Sequence, residues 1–210
     1  KEEMVDFDGR PLFKPRLVRT HLHTIGNNPP EMDLYKALTQ YIDETYRAAE
    51  RIGGAARVNT QFAMVILQRR MASSFAALEQ SLHNRRDGLL LQTAAESLPE
   101  VDWDALEEEA ETQRWQTEQQ AETATPARTR EEREKEAAEL DTLLALLDAV
   151  RRTGRETKVE KLQEIMAETD ITPENGKKLL VFTEAKDTLR FLRRLFEGWG
   201  YVVTQIDGSM

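Results

Sequence analysis

Apolar residues recur every three or four positions over most of the chain, and this period predicts helices. From Glu31 to about Ile52 the stripe is Leu34, Leu38, Tyr41, Ile42 and Tyr46, with Pro29-Pro30 before it and Gly53-Gly54 as its stop. A second long helical stretch is expected from Asn59 to about Thr93. There Phe62, Val65, Ile66 and Leu67 lead into Met71, Phe75, Leu78 and Leu82, spaced as a packing seam. Ser97 to Thr125 reads differently, because Trp103, Leu106, Ala110 and Trp115 are its few apolar anchors among many Glu, Gln and Thr. It is expected to be an exposed, sparsely anchored helix or a partly disordered arm. Pro126 breaks it, and a helix beginning near Thr129 carries mixed charges four apart before the packed end Leu140, Leu143, Leu144, Leu147 and Val150. These two segments are expected to form an antiparallel coiled-coil hairpin hinged near Pro126. Arg151-Arg152-Thr153-Gly154 closes the second of them. A short helix from Thr157 to about Thr169 then turns Val159, Leu162, Ile165 and Met166 inward.

The pattern changes after Thr172-Pro173-Glu174-Asn175-Gly176. Leu179-Leu180-Val181-Phe182 reads as a buried strand, Ala185 to Glu197 as a helix, and Tyr201-Val202-Val203 as a second strand. The helix buries Leu189, Leu192, Leu195 and Phe196 and is stopped by Gly198 and Gly200, and Asp207-Gly208-Ser209 turns at the far end. Strand, helix and strand at this spacing make a right-handed parallel βαβ unit. Its ligand-facing ends would be residues 183–188 and 207–209. At the other end of the chain, Asp8-Gly9-Arg10-Pro11 is a turn signal and Arg16 to His23 alternates as an edge strand does. The fold class expected is mainly α, with long helices and a helical hairpin, followed by a partial α/β segment.

The 210 residues carry a net charge of −9 and a pI near 5.1, which argues against general polyanion binding without excluding a local basic groove. There is no cysteine, hence no disulfide framework and no thiolate metal site. No apolar run approaches the ~18 residues of a membrane span, and a cytoplasmic location is the default expectation. The chain lacks an initiator methionine and stops just after a strand, so it reads as a fragment. His21 and His23 would share one face of the edge strand, either as a metal pair or as polar decoration of that edge.

Several of these stretches carry a resemblance. LLVFTEAKDT at 179–188 looks like the fourth motif of superfamily-two helicases of the SWI/SNF type and related bacterial DNA translocases, and IDGSM at 206–210 looks like the strand-end DGS that follows it. LQRRMASSFAALEQSLHNRR at 67–86 resembles a signature of the bacterial members, though Phe75 stands where they often have a proline, so the helix break there is expected to be only a kink. VDFDGRPLFKPRLVRTHLHTI at 5–25 resembles the hand-over from the first RecA-like domain, EMDLYKALTQYIDETY the helix that follows it, and TKVEKLQEIMAE the helix before the second RecA-like domain. The resemblance implies the end of a first RecA-like domain over 1–25, a helical inter-domain region over 26–170, and the start of a second RecA-like domain over 171–210. It also implies that the fourth motif and the DGS turn face a DNA or RNA backbone, which points to Thr183, Lys186, Asp187, Thr188, Gly208 and Ser209. Arg69, Arg70, Arg85 and Arg86 are candidates for contact with phosphate or an acidic partner. The plain alternative is a solvated helix face paired to nearby acids.

The chain has no GxxxxGK[ST] phosphate loop and no DEAD-like acidic pair, two parts of a phosphoryl-transfer site. No catalytic residue is therefore assigned. ATP and Mg²⁺ are expected to act in a parent protein rather than in this fragment, and no metal site is assigned here. A helical scaffold or protein-interaction module without catalytic activity is the second hypothesis. Two strands and one helix cannot cover both faces of a sheet, so self-association through Leu179 to Phe182 is a further expectation.

Overall fold

In the computed structural model the described residues are 7, 18–22, 24, 28–91, 102 and 111–207, without the side chains of 111 and 112. They are mainly helical: α1 (Pro29–Ile52), α2 (Gly54–Ser73), α3 (Phe75–Leu91), α4 (Glu111–Ala121), α5 (Arg130–Arg152), α6 (Thr157–Glu168) and α7 (Lys186–Gly198). α1, α2, α3 and α5 form a bundle in which α5 lies against α3 and α1, while α2 bridges α1 and α3. Its core is aliphatic, with Leu34 and Leu38 of α1 meeting Leu78 and Leu82 of α3 and Leu140 and Leu147 of α5.

The helix ends follow from local chemistry. α1 begins on Pro29-Pro30, where a missing N–H costs nothing, and stops at Gly53, whose φ of +74° suits glycine. Thr129 and Glu132 make a reciprocal capping box at the start of α5. The Glu132 N–H donates to Thr129 Oγ1 at 3.1 Å, and the Thr129 N–H donates to Glu132 Oε2 at 3.0 Å. Those backbone donors hold the Glu132 carboxyl below its usual range. At the other end of α5, Arg151 forms a fork with Glu79 of α3 at 2.6 and 2.5 Å. α7 runs through Gly198 and stops at Gly200, with φ +87°. The Gly200 N–H donates to the Glu197 carbonyl and the Tyr201 N–H to the Phe196 carbonyl, both at 3.0 Å, and the Tyr201 and Phe196 rings meet edge to face at 5.9 Å.

Three expectations meet a different outcome. The stretch expected as one kinked helix is two helices with a full break at Ser74, where φ is −159° and ψ 159°. Serine supplies what proline would have: Ser74 Oγ accepts the Ala77 N–H at 3.1 Å and its carbonyl accepts the Leu78 N–H at 3.0 Å, so Ser74 caps α3. Its extended backbone is also what a following proline requires. Phe75→Pro is therefore expected to keep the α2–α3 break and the helix content by circular dichroism. It should cost only the packing of a half-buried ring, far less than the ~3 kcal/mol of a helix-interior proline.

The helices flanking Pro126 do not zip together as a coiled coil. α5 is drawn into the bundle by Leu140, Leu143 and Leu147, and α4 lies on α2. The expected strands are not formed among the described residues. Residues 177–183 and 201–207 have no strand pairing, and Leu180, Phe182, Val202 and Ile206 are exposed. Two short segments with open faces on both sides have no third strand or covering helix to hold them in a ladder. Residues 18–22 of the expected N-terminal edge strand form no strand, and the rest of it lies outside the described residues.

Candidate functional site

The break between α2 and α3 is where distant parts of the chain converge. Because Ser74 leaves the helical path, the hydroxyls of Ser73 and Ser74 both reach Thr188 Oγ1, at 2.6 and 2.7 Å, in the first turn of α7. Ser73 Oγ also lies 3.5 Å from Thr183 Oγ1. One turn back on α2, Arg69 donates to Glu184 at 2.7 Å and to Glu118 of α4 at 3.2 Å. Donating to Glu184 raises the pKa of Arg69, and accepting that bond holds the Glu184 carboxyl below its usual range. From the other side Lys158 donates to the carbonyls of Met71, at 3.1 Å, and Ala72, an ammonium placed on the negative end of α2. Burial pushes its pKa down. A cleft of about 450 Å³ opens here between Arg69, Arg70 and Ser73 on one wall and Thr183, Glu184 and Thr188 on the other.

The sequence-derived candidates are thus partly assembled. Thr183 and Thr188 stand in the cleft. Lys186 turns over the face of Trp115, its ammonium 5.1 Å from the ring centroid. Asp187 pairs with Arg190 at 3.1 Å, within α7. Gly208, Ser209 and His23 lie outside the described residues. His21 is exposed, and among the described residues no group of three or more His, Cys, Asp or Glu side chains is placed to hold a metal ion.

The four arginines separate sharply. Arg69 is half-exposed in the cleft. Arg86 lies on the surface, paired with Asp87 at 2.8 Å and Asp141 at 3.1 Å, and those bonds raise its pKa. Arg70 and Arg85 are buried. Arg70 holds Glu118 at 3.0 Å and lies 3.6 Å from Glu122. Arg85 is 0% exposed and donates to Tyr41 Oη at 2.5 Å, Glu136 Oε1 at 2.6 Å, and the carbonyls of Glu122 and Ala124 at 2.8 and 2.7 Å. Tyr41 Oη in turn donates to Glu136 at 2.8 Å, and Thr125 bonds the other oxygen of Glu136. Burial opposes the charge on Arg85, but Tyr41 and Glu136 offset it and hold its pKa raised; burial also raises the pKa of the Tyr41 phenol.

The acidic partner of the arginine pairs thus lies within the chain. Glu122 completes it by accepting from Ser81 at 2.6 Å and Asn84 at 3.1 Å. None of Glu118, Glu122 and Glu136 stood out in the sequence, because acids are common throughout this stretch and only the fold selects three of them.

Gly88 of α3 explains how tightly the turn after α4 is seated: a Cβ there would fall 2.3 Å from Thr123 Cγ2 and 2.9 Å from its Cβ. On an open helix Gly→Ala gains about 1 kcal/mol, whereas overpacking costs about 1–3 kcal/mol. Gly88→Ala is expected to lower the urea midpoint, and Thr123→Gly in the same chain to restore part of it.

The chain matches no protein family, no characterised protein and no solved structure. Among the described residues no helix is long and apolar enough to cross a membrane.

Proposed function

We propose that this chain is the central part of a SWI/SNF-type DNA helicase or translocase. It would run from the end of a first RecA-like domain through a helical inter-domain region into the start of a second, partial α/β, RecA-like domain. The observation that carries this reading is the convergence at the Ser73-Ser74 break. Two stretches that resemble separate signatures of that family, one around 67–86 and one around 179–188, lie about 115 positions apart and meet through Thr188, Thr183 and the Arg69–Glu184 pair. A second support is the exposed apolar edge of 179–182 and 202–206, which suits strands of a larger sheet. On this reading ATP and Mg²⁺ act elsewhere in the parent protein. Closure of the two RecA-like domains would pull on residues 183–188, and the three-hydroxyl joint with Lys158 would carry that movement into the bundle. Thr183, Lys186, Thr188, Gly208 and Ser209 would meet the phosphate backbone of DNA or RNA, and Asp187 would orient α7.

The test begins with the gene on either side of this sequence. A phosphate-loop lysine motif and an acidic pair upstream, an arginine-bearing motif downstream, and ATP hydrolysis by the parent protein that rises with duplex DNA are expected. Thr188→Val should lower the DNA-stimulated rate more than the basal rate. Flanking sequence without those motifs would sink the proposal. The second reading, a helical scaffold, is favoured by the internal engagement of Arg70 and Arg85; it predicts no ATP hydrolysis and leaves Leu179–Phe182 as a surface for self-association.

A further inference from the structure

We propose that α4 is an acidic latch on the cleft, with Glu118 occupying Arg69 and Arg70 in place of a nucleic-acid phosphate, so that α4 must lift before the cleft takes a phosphate backbone. This rests on the nucleic-acid reading above and adds its control.

Glu118 is buried, and its two oxygens sit on two different guanidiniums, Oε1 on Arg69 at 3.2 Å and Oε2 on Arg70 at 3.0 Å. The two non-bridging oxygens of a phosphodiester offer the same paired acceptors to the same forks. The cleft wall adds the hydroxyls of Ser73, Thr183 and Thr188. The charges around it are Arg69 and Arg70, with Arg114 near enough to lower the pKa of Glu184, against the acids Glu118, Glu184 and, behind Arg70, Glu122. Withdrawal of Glu118 frees Arg69 from one of its two carboxylates and leaves Arg70 with only the longer 3.6 Å contact to the anchored Glu122, so the cleft gains one unit of positive charge.

α4 is attached unevenly, as a latch must be. Its C-terminal end is anchored, with Glu122 held by Ser81 and Asn84 and the carbonyls of Glu122 and Ala124 held by Arg85. Its apolar hold is small: Ala121 packs on Phe62 and Ile66 in a cluster separate from the bundle core. Toward its N-terminus Glu118 bonds both arginines and Lys186 stacks on Trp115. The helix therefore pivots about residues 122–124, and ionic contacts close it. Such contacts weaken with salt and yield to a competing polyanion.

The test uses the full chain, a 20-base-pair DNA duplex and amide hydrogen exchange. Glu118→Gln keeps the size and removes the charge. It is expected to speed exchange over 113–119 while 130–152 stays unchanged, and to bind the duplex about tenfold more tightly at low salt. The slope of log affinity on log salt should steepen by roughly one to two ions. Adding Arg69→Ala and Arg70→Ala should abolish the gain. Glu134→Gln, the same charge change at an exposed pair on α5, should give none. Unchanged exchange over 113–119 would overturn the latch. So would faster exchange without tighter binding, or a gain that survives loss of both arginines. Wild-type binding as tight as that of Glu118→Gln would end the latch and leave the translocase reading intact. A lack of flanking ATPase motifs would end that reading but would not alter the binding comparison.

Discussion

Replacing Arg85 by methionine is expected to remove about 3–5 kcal/mol of stability, read as a lowered urea midpoint. The side chain is wholly buried, and its loss strips four acceptors at once: the Tyr41 oxygen, one oxygen of Glu136 and two carbonyls of the turn after α4. Methionine fills much of the volume, so the cost comes chiefly from leaving the Glu136 carboxylate buried without its cation. This separates the interaction from simple packing. Glu136→Gln keeps an acceptor for Tyr41 and Thr125 but removes the negative charge, so the Arg85→Met, Glu136→Gln pair should lose less than the sum of the single changes, with a coupling of about 0.5–3 kcal/mol. Additive losses, or a loss below about 1 kcal/mol for Arg85→Met, would mean that water reaches the guanidinium. The result also bears on function. If Arg85 fixes the turn at residues 122–124, the anchored end of α4 stays put while its other end moves.

How far the sequence could be read depends on which force made each element. α1 and α5 were legible because burial of an apolar stripe formed them: Leu34, Leu38, Tyr41 and Ile42 are buried, as are Leu140, Leu143 and Leu147. α6 and α7 form where their periods place them, but of the positions expected inward only Met166 and Phe196 are buried, and Val159, Leu162, Ile165, Leu189, Leu192 and Leu195 are half-buried. Tyr46, placed on the α1 stripe, is exposed, because the buried face continues through Thr45 and Ala49 and Tyr46 lies one position off it. The break at Ser74 was legible only as a kink because the usual proline is missing and the cap is a hydroxyl whose role depends on backbone geometry. The place of α4 was not legible. Its attachment is largely ionic, through Glu118 and Glu122, and a carboxylate that meets a guanidinium about 50 positions away leaves no period in the sequence. The same holds for Arg85, which sits in a sequence of polar neighbours and owes its burial to Glu136, 51 positions away. Thr183 and Thr188 were singled out by their place at an expected strand end and by resemblance. Their meeting with Ser73 and Ser74 is a tertiary fact that neither stretch carries by itself.

The second large effect divides the bundle from the segment after it. Leu147 is 0% exposed among α1, α3 and α5, and Leu147→Ala is expected to cost about 3–5 kcal/mol, because the fixed helices around it cannot collapse into the space. Phe182 is larger and more apolar, yet it is 87% exposed, so Phe182→Ala should shift the urea midpoint by no more than about 0.5 kcal/mol. The contrast is a test of where cooperativity lies. If the two substitutions behave this way, the helices α1, α2, α3 and α5 are the folding unit, and residues 177–183 ride on it through Thr188 and the Arg69–Glu184 pair. If Phe182→Ala instead costs more than about 1 kcal/mol, the ring is covered in solution, and the cost should grow with protein concentration as a second copy supplies the missing strand. Sedimentation then distinguishes the cases: a monomer at all concentrations with a silent Phe182 fits an edge kept for the rest of a RecA-like sheet, whereas a dimer that Phe182→Ala dissociates fits strand pairing between copies.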